Sequence, residues 1–130
     1  MSRILLVEDE DLNRTLVKAV LARAQIQAVR DAEVLDAGSL AAARKRLHDE
    51  NVDLVLLDMN LPDGNGLTLA RELAREEMPP GRQRPAVVAV TASVLPQDRA
   101  AAIEAGRDGV LDKPYAAADL VAVVADHLPH

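Results

Sequence analysis

The stretch Leu54-Val-Leu-Leu-Asp58-Met-Asn-Leu-Pro-Asp-Gly-Asn-Gly66 runs from a short apolar segment, through one carboxylate, into a turn. The apolar segment is too short for a helix. It is apolar throughout rather than alternating, which is the pattern of a strand covered on both faces, as in a parallel sheet. Asp63-Gly-Asn-Gly66 supplies turn chemistry directly after it. Ile4–Val7 and Ala86–Val90 repeat the pattern, and Val110–Leu111 is a weaker fourth case.

Helical periods lie between these runs. Leu12, Leu16, Val17, Val20, Leu21 and Ala24 follow the spacing of one helix face. Ser39 is placed to cap a helix carrying Leu40, Ala43 and Leu47. Leu67, Leu69, Ala70, Leu73 and Ala74 form another helix. Pro96 opens a fourth and Gly106 closes it after Ala105. Leu120, Val121, Val124 and Leu128 line a fifth. The second strand is assigned to Ala32–Ala37, with Ile26–Val29 as the rival and with Arg30 and Asp31 in a connection or an extended first helix. Alternating strands and helices predict an α/β, doubly wound parallel sheet of five strands with helices on both faces. Residues 1–130 are expected to form a single domain.

Composition narrows the function classes. Of 130 residues, 49% are hydrophobic, enough for a core without staples, and the absence of cysteine excludes disulfides and thiolate metal sites. The net charge of −6 argues against a nucleic-acid partner, which needs a basic face. No apolar run approaches a membrane span, and the four apolar residues before Glu8 are too few for a signal-peptide core. A cytoplasmic location is therefore expected. Tyr115 is the only aromatic residue, so base stacking and flavin sandwiching are poorly supplied.

Each apolar run ends in a reactive group. Glu8 and Asp9 follow the first, Asp58 the Leu54 run and Thr91 the Ala86 run; Asp112, Lys113 and Pro114 follow the last. Parallel strands bring these ends to one edge, where open sheets bind ligands. Clustered carboxylates repel one another, and a divalent cation relieves the repulsion. Oxygen ligands with retained water favour Mg²⁺. One carboxylate is then free to act as a nucleophile toward phosphorus. Lys113 would be the counter-charge for phosphoryl oxygens, and Thr91 a hydroxyl donor.

Ile4-Leu-Leu-Val-Glu-Asp-Glu-Asp11, Leu54–Gly66, Val90-Thr-Ala92 and Asp112-Lys-Pro114 together resemble the response-regulator receiver domains of two-component signalling, in order and over nearly the whole chain. The resemblance implies a flavodoxin-like sheet of strand order 2-1-3-4-5. It implies that Asp58 accepts a phosphoryl group from a histidine kinase, a histidine phosphotransfer protein or a small phosphodonor. It further implies that Asp9 ligates Mg²⁺ directly, Glu8 directly or through water, and Asn60 through its backbone carbonyl. Thr91 and Lys113 would hold the phosphoryl group, and the Lys113–Pro114 peptide would be cis. Such a domain catalyses only its own phosphorylation and dephosphorylation and is not otherwise an enzyme. The face formed by the Pro96 helix, the Val110 strand and the Leu120–Leu128 helix would meet a downstream target or a second copy in a homodimer. The Asn13-Arg14 pair after the acidic loop is similar to that of receivers attached to hybrid kinases.

Two positions depart from the family. The segment before Ser39 is longer and its strand pattern blurred. The aromatic switch residue three before the lysine is replaced by Val110, which is too small and too stiff at its first torsion to swing and fill space. The switch, Thr91 with Val110, is therefore expected to act through backbone shifts over Thr91–Gln97. The rival architectures fit worse. A flavodoxin-type carrier needs a hydroxyl- and glycine-rich loop where this chain has Glu8–Asp11. An aspartyl-phosphate phosphohydrolase needs a second acid where Asn60 stands. A degenerate receiver would have lost Asp58 or Lys113. His48, His127 and His130 are read as isolated surface histidines, Arg44-Lys-Arg46 as a solvated helix face, and Met59 as packing beside the site.

Overall fold

A computed structural model describes residues 2–76, 80–81, 83–92, 95–106 and 108–128. The strands of the main sheet are β1 (Arg3–Val7), β2 (Glu33–Ala37), β3 (Leu54–Asp58), β6 (Ala86–Thr91) and β7 (Gly109–Asp112). A hairpin, β4 (Asn60–Leu61) with β5 (Gly64–Asn65), lies outside that sheet. The helices are α1 (Asp11–Ala22), α2 (Gln27–Arg30), α3 (Leu40–Asp49), α4 (Gly66–Arg75), α5 (Pro96–Ala105) and α6 (Ala117–His127). The sheet is parallel throughout, in the order β2-β1-β3-β6-β7. Once the hairpin is set aside, this is the expected 2-1-3-4-5 order.

The continuous apolar runs serve two cores at once, because successive side chains of a strand point to opposite faces. Leu5, Val7, Val55, Leu57, Val87 and Ala89 pack with α3, α4 and α5. Ile4, Leu6, Leu54, Leu56, Val88 and Val90 pack with α1 and α6. A run covered on both sides has no solvent face to make polar, which is why these strands read as unbroken hydrophobic segments.

The second strand is Glu33–Ala37, inside the assigned Ala32–Ala37, and runs beside β1 from Arg3↔Glu33 to Val7↔Ala37. The rival Ile26–Val29 is not a strand: Gln27–Arg30 is a short helix anchored by fully buried Val29, and Asp31 caps its end. This sixth helix was not anticipated, since a single turn carries no periodicity to read. Gly106 does follow the end of α5, but its φ of −88° is ordinary. Its reason is close approach, because a Cβ there would lie 2.2 Å from the Gly109 carbonyl oxygen and 2.8 Å from the Ala89 nitrogen.

The helix face read on α1 splits. Val17 and Leu21 are buried, whereas Leu12 and Leu16 are 65% and 54% exposed. Leu16 instead lines an open cavity beside Ala117 and Leu120 of α6.

Candidate functional site

The carboxyl ends of β1, β3, β6 and β7 meet at one edge, as the register requires: Val7 lies beside Leu57, Asp58 beside Val90 and Thr91 beside Asp112. Glu8, Asp58 and Thr91 are the only polar residues buried among those described, at 5%, 7% and 2% exposure. Asp9 is exposed. One carboxylate oxygen from each of Glu8, Asp9 and Asp58 lies within 4.8 Å of the other two. Octahedral Mg²⁺ with oxygens at 2.0–2.1 Å spans at most about 4.2 Å between opposite ligands. The three acids therefore suit that ion after small side-chain adjustments or with a bridging water.

The cluster is partly organised already. Lys113 Nζ donates to Glu8 Oε2 at 3.3 Å and to Asp58 Oδ2 at 3.4 Å. The other oxygen of each acid accepts a backbone N–H two residues on, Glu10 N to Glu8 Oε1 at 3.1 Å and Asn60 N to Asp58 Oδ1 at 3.0 Å. Burial disfavours the Lys113 ammonium, but the carboxylates of Asp58 and Glu8 outweigh it and hold its pKa above the usual lysine range. The backbone N–H of Lys113 donates to the Thr91 carbonyl at 2.7 Å, tying the lysine to the strand that carries the threonine. The Lys113–Pro114 peptide is cis.

Beside Lys113 an open cavity of about 680 Å³ runs between α1 and the start of α6, lined by Leu16, Val17, Val20, Pro114 and Tyr115 among others. Tyr115 is half-buried against the α1–α6 core, whereas Val110 packs on the opposite face of the sheet. Burial, and the acids Glu8 and Asp58 against the opposing effect of Lys113, push the Tyr115 phenol up. Ser93 and Val94, within the anticipated responsive segment, lie outside the described residues.

Other readings fare unevenly. Met59 is buried at 4% exposure, its N–H on the Val90 carbonyl. His127 is not isolated: Nδ1 is 2.7 Å from the Val123 carbonyl and Nε2 2.6 Å from the Asp108 carbonyl. His130 lies outside the described residues. In the Arg44–Arg46 face, Arg44 pairs with Glu72 and Arg46 donates to the Asp36 carbonyl. Asp63, read only as a turn residue, accepts from Leu40 N at 2.8 Å and Ala41 N at 3.1 Å, so it caps α3 from the hairpin after β3. Arg14 was read only as part of a pair, yet it reaches the Glu8 carbonyl. The Asp63 contact joins residues 22 and 23 apart, and the Arg14 contact, though only six apart, ends on a backbone carbonyl that no residue type marks.

Comparison with known proteins places this geometry in context. The family model of the response regulator receiver domain matches residues 4–125. The KDP operon transcriptional regulatory protein KdpE of Escherichia coli K12 is 34% identical over 122 residues, covering 94% of this chain and 49% of that protein. The aerobic respiration control sensor protein ArcB of the same strain is 38% identical over 125 residues, covering 93% of this chain and 14% of that protein. This chain thus spans about half of the one relative and a small part of the other. Among solved structures, the receiver domain of the sensor histidine kinase PA1611 from Pseudomonas aeruginosa PAO1 superposes with a TM-score of 0.78 at 29% identity, covering 97% of this chain and 96% of that one. That structure has a magnesium ion coordinated in its active site cleft. Among the described residues, no helix is long and apolar enough to cross a membrane.

Proposed function

This chain belongs to the response-regulator receiver family, and from that premise we propose that it is a Mg²⁺-dependent phosphoacceptor whose nucleophile is Asp58. The observation that carries the reading is the single ammonium of Lys113 set between two buried carboxylates, Glu8 and Asp58, with Asp9 open beside them. Glu8, Asp9 and Asp58, with the Asn60 carbonyl, would hold the ion. When bound, Mg²⁺ supplies positive charge that offsets the repulsion between the acids and an incoming phosphoryl group.

The chain's own groups do the rest. A carboxylate oxygen of Asp58 forms the new bond to phosphorus as the phosphorus–nitrogen bond of a phosphohistidine donor, or the phosphorus–oxygen bond of a small acyl phosphate, breaks and the leaving imidazole or carboxylate departs. Lys113 moves from its carboxylates to a phosphoryl oxygen, and the Thr91 hydroxyl donates to another. The protein donor is a histidine kinase or a histidine phosphotransfer protein, and the apolar cavity beside Lys113 gives it a surface on which to seat while its imidazole reaches Asp58. The chain turns over only its own phosphoryl group. Residues 1–130 act as one domain, in the cytoplasm.

Output runs through Thr91 and the backbone that follows it. Val110 and Tyr115 pack on opposite faces of the sheet, which supports an output that does not use an aromatic switch. The α5–β7–α6 face, with Ile103 60% exposed, is the surface offered to a target or a second copy.

The test is incubation with acetyl phosphate and Mg²⁺, followed by intact-mass measurement and peptide mapping. One hydroxylamine-labile phosphoryl group should appear on Asp58, and Asp58→Asn should carry none. Phosphate on His48 or on a serine would overturn the reading.

A further inference from the structure

Glu8 is held from four sides, by Ala37, Glu10, Lys113 and Arg14. Its N–H donates to the Ala37 carbonyl at 2.9 Å, and its two carboxylate oxygens are taken by Glu10 N and Lys113. Its carbonyl oxygen accepts from Arg14 Nη1 at 2.6 Å. The second arm of the same guanidinium, Nη2, pairs with the Asp11 carboxylate. The Arg14 side chain is only 20% exposed.

We propose that Arg14 is a positioning residue for the metal-binding carboxylates, Asp9 above all, and that position 38 is glycine to leave room for its guanidinium. The proposal rests on the reading that Glu8, Asp9 and Asp58 hold Mg²⁺. The carbonyl that Arg14 grips belongs to the Glu8–Asp9 peptide, so the bond fixes the plane from which Asp9 departs. Glu8 and Asp58 have side-chain anchors of their own. The Asp9 carboxylate has neither a hydrogen bond nor an ion pair among the described residues, so its aim depends on its backbone alone.

Two further features fit this role. The fork of an arginine reaches two acceptors in one plane, which a lysine ammonium does not reproduce. Here the fork spans the loop and the first turn of α1, and it keeps the Asp11 carboxylate occupied by a cation of its own. On the far side, a Cβ on Gly38 would lie 3.1 Å from Arg14 Nη1. A methyl group there would require Nη1 to give by a few tenths of an ångström, which loosens its grip on the Glu8 carbonyl. Groups that orient metal ligands from behind typically change metal affinity by roughly 10–100-fold when removed.

The experiment is a Mg²⁺ titration followed by backbone amide NMR shifts, with thermal melts in EDTA to check folding. It compares the wild type, Asp9→Asn, Arg14→Ala, Arg14→Lys, Gly38→Ala and the Arg14→Ala/Gly38→Ala pair. Arg14→Ala should weaken Mg²⁺ binding about tenfold, the lower end of that range, and Arg14→Lys should recover part of the loss. Gly38→Ala should weaken binding when Arg14 is present and have no effect when it is absent. A purely structural arginine would lower the melting temperature and leave the Mg²⁺ isotherm of the folded protein unchanged. Arg14→Ala binding Mg²⁺ as the wild type does, or Gly38→Ala acting equally in both backgrounds, would overturn the proposal. If Arg14→Ala does not fold in EDTA, Arg14→Lys decides: binding equal to the wild type overturns the proposal, and weakened binding supports it. Equal isotherms for wild type and Asp9→Asn would instead remove the metal reading on which the proposal stands.

Discussion

Among the ion pairs of this molecule, one set on the helical surface and one at the sheet edge contrast in shape and burial. On the helical surface, α4 is tied to both neighbours by consecutive residues. Arg44 grips Glu72 through two bonds of 2.8 and 2.9 Å, and Arg71 grips Glu104 through two of 2.6 and 3.2 Å. At the sheet edge, Lys113 reaches Glu8 and Asp58 at 3.3 and 3.4 Å. By length alone the surface pairs rank first. Burial reverses the order: the surface side chains are about half exposed, while the carboxylates of Glu8 and Asp58 are 7% and 9% exposed. Water and salt compete more strongly for the first set than for the second, where only Lys113 is partly exposed.

The largest effect should come from the edge. Lys113→Ala leaves two buried carboxylates without their cation. Breaking a fully buried pair costs about 3–5 kcal/mol, and the partial exposure of Lys113 lowers the expectation to about 1–3 kcal/mol. For a chain of this length each kcal/mol is roughly 4 °C in Tm. The loss should be measured in EDTA, and Mg²⁺ should restore part of it by supplying the missing charge; at ten times its Kd a ligand adds about 1.4 kcal/mol. The sign of the pH dependence follows from the raised pKa of Lys113. The contribution of Lys113 is fully present below the ordinary lysine value and is lost as pH rises through the higher folded value. The gap between wild type and variant should therefore be flat from neutral pH to about pH 10 and close above it. A gap that closes near neutrality, or the same deficit with and without Mg²⁺, would break the comparison at its buried end.

What could be read in the chain alone follows the same division between local pattern and long-range contact. The strand ends were legible because β1, β3 and β6 are covered on both faces and each terminates in the group that does the chemistry. The edge strand β2 was blurred because Val34, Leu35 and Asp36 are only half-buried, so no sharp pattern is required of them. The short α2 was missed because one buried residue, Val29, anchors it. Leu12 and Leu16 kept helical spacing yet stay exposed, since periodicity names a face but not what lies beneath it. The acids and Lys113 were legible as a site, whereas two supporting contacts were not: Arg14 bonds a backbone carbonyl, which no residue type announces, and Asp63 caps α3 from more than twenty residues away.

Asp63 stands between the two extremes, exposed like the surface pairs yet bonded to backbone. The Leu40 N–H above all, helped by the Ala41 N–H and the neighbouring Arg44 guanidinium, holds its carboxyl below the usual aspartate range against the opposing effect of burial. A lowered folded pKa contributes stability that is present above the ordinary carboxylate value and lost as pH falls through the folded value. Asp63→Ala should lower Tm at pH 7 by less than Lys113→Ala does, and the difference from wild type should shrink below about pH 4. A difference that persists unchanged at pH 2.5 would mean that the side chain acts by packing rather than by charge-assisted capping of α3.

The smallest effect should come from the surface pairs, and it is the sharper test because their geometry invites the opposite expectation. Arg71 and Glu104 meet through two short bonds, but each side chain is more than half exposed. The pair gives up side-chain freedom to hold one arrangement, and its attraction is screened by solvent and salt. Arg71→Ala should therefore change Tm by no more than about 2 °C. It should leave Mg²⁺ affinity untouched, and raising the salt concentration should erase what little change there is. A drop as large as that of Lys113→Ala would show that Arg71 and Glu72 lock α4 between its neighbours as a network. Bond geometry would then rank these interactions better than burial does.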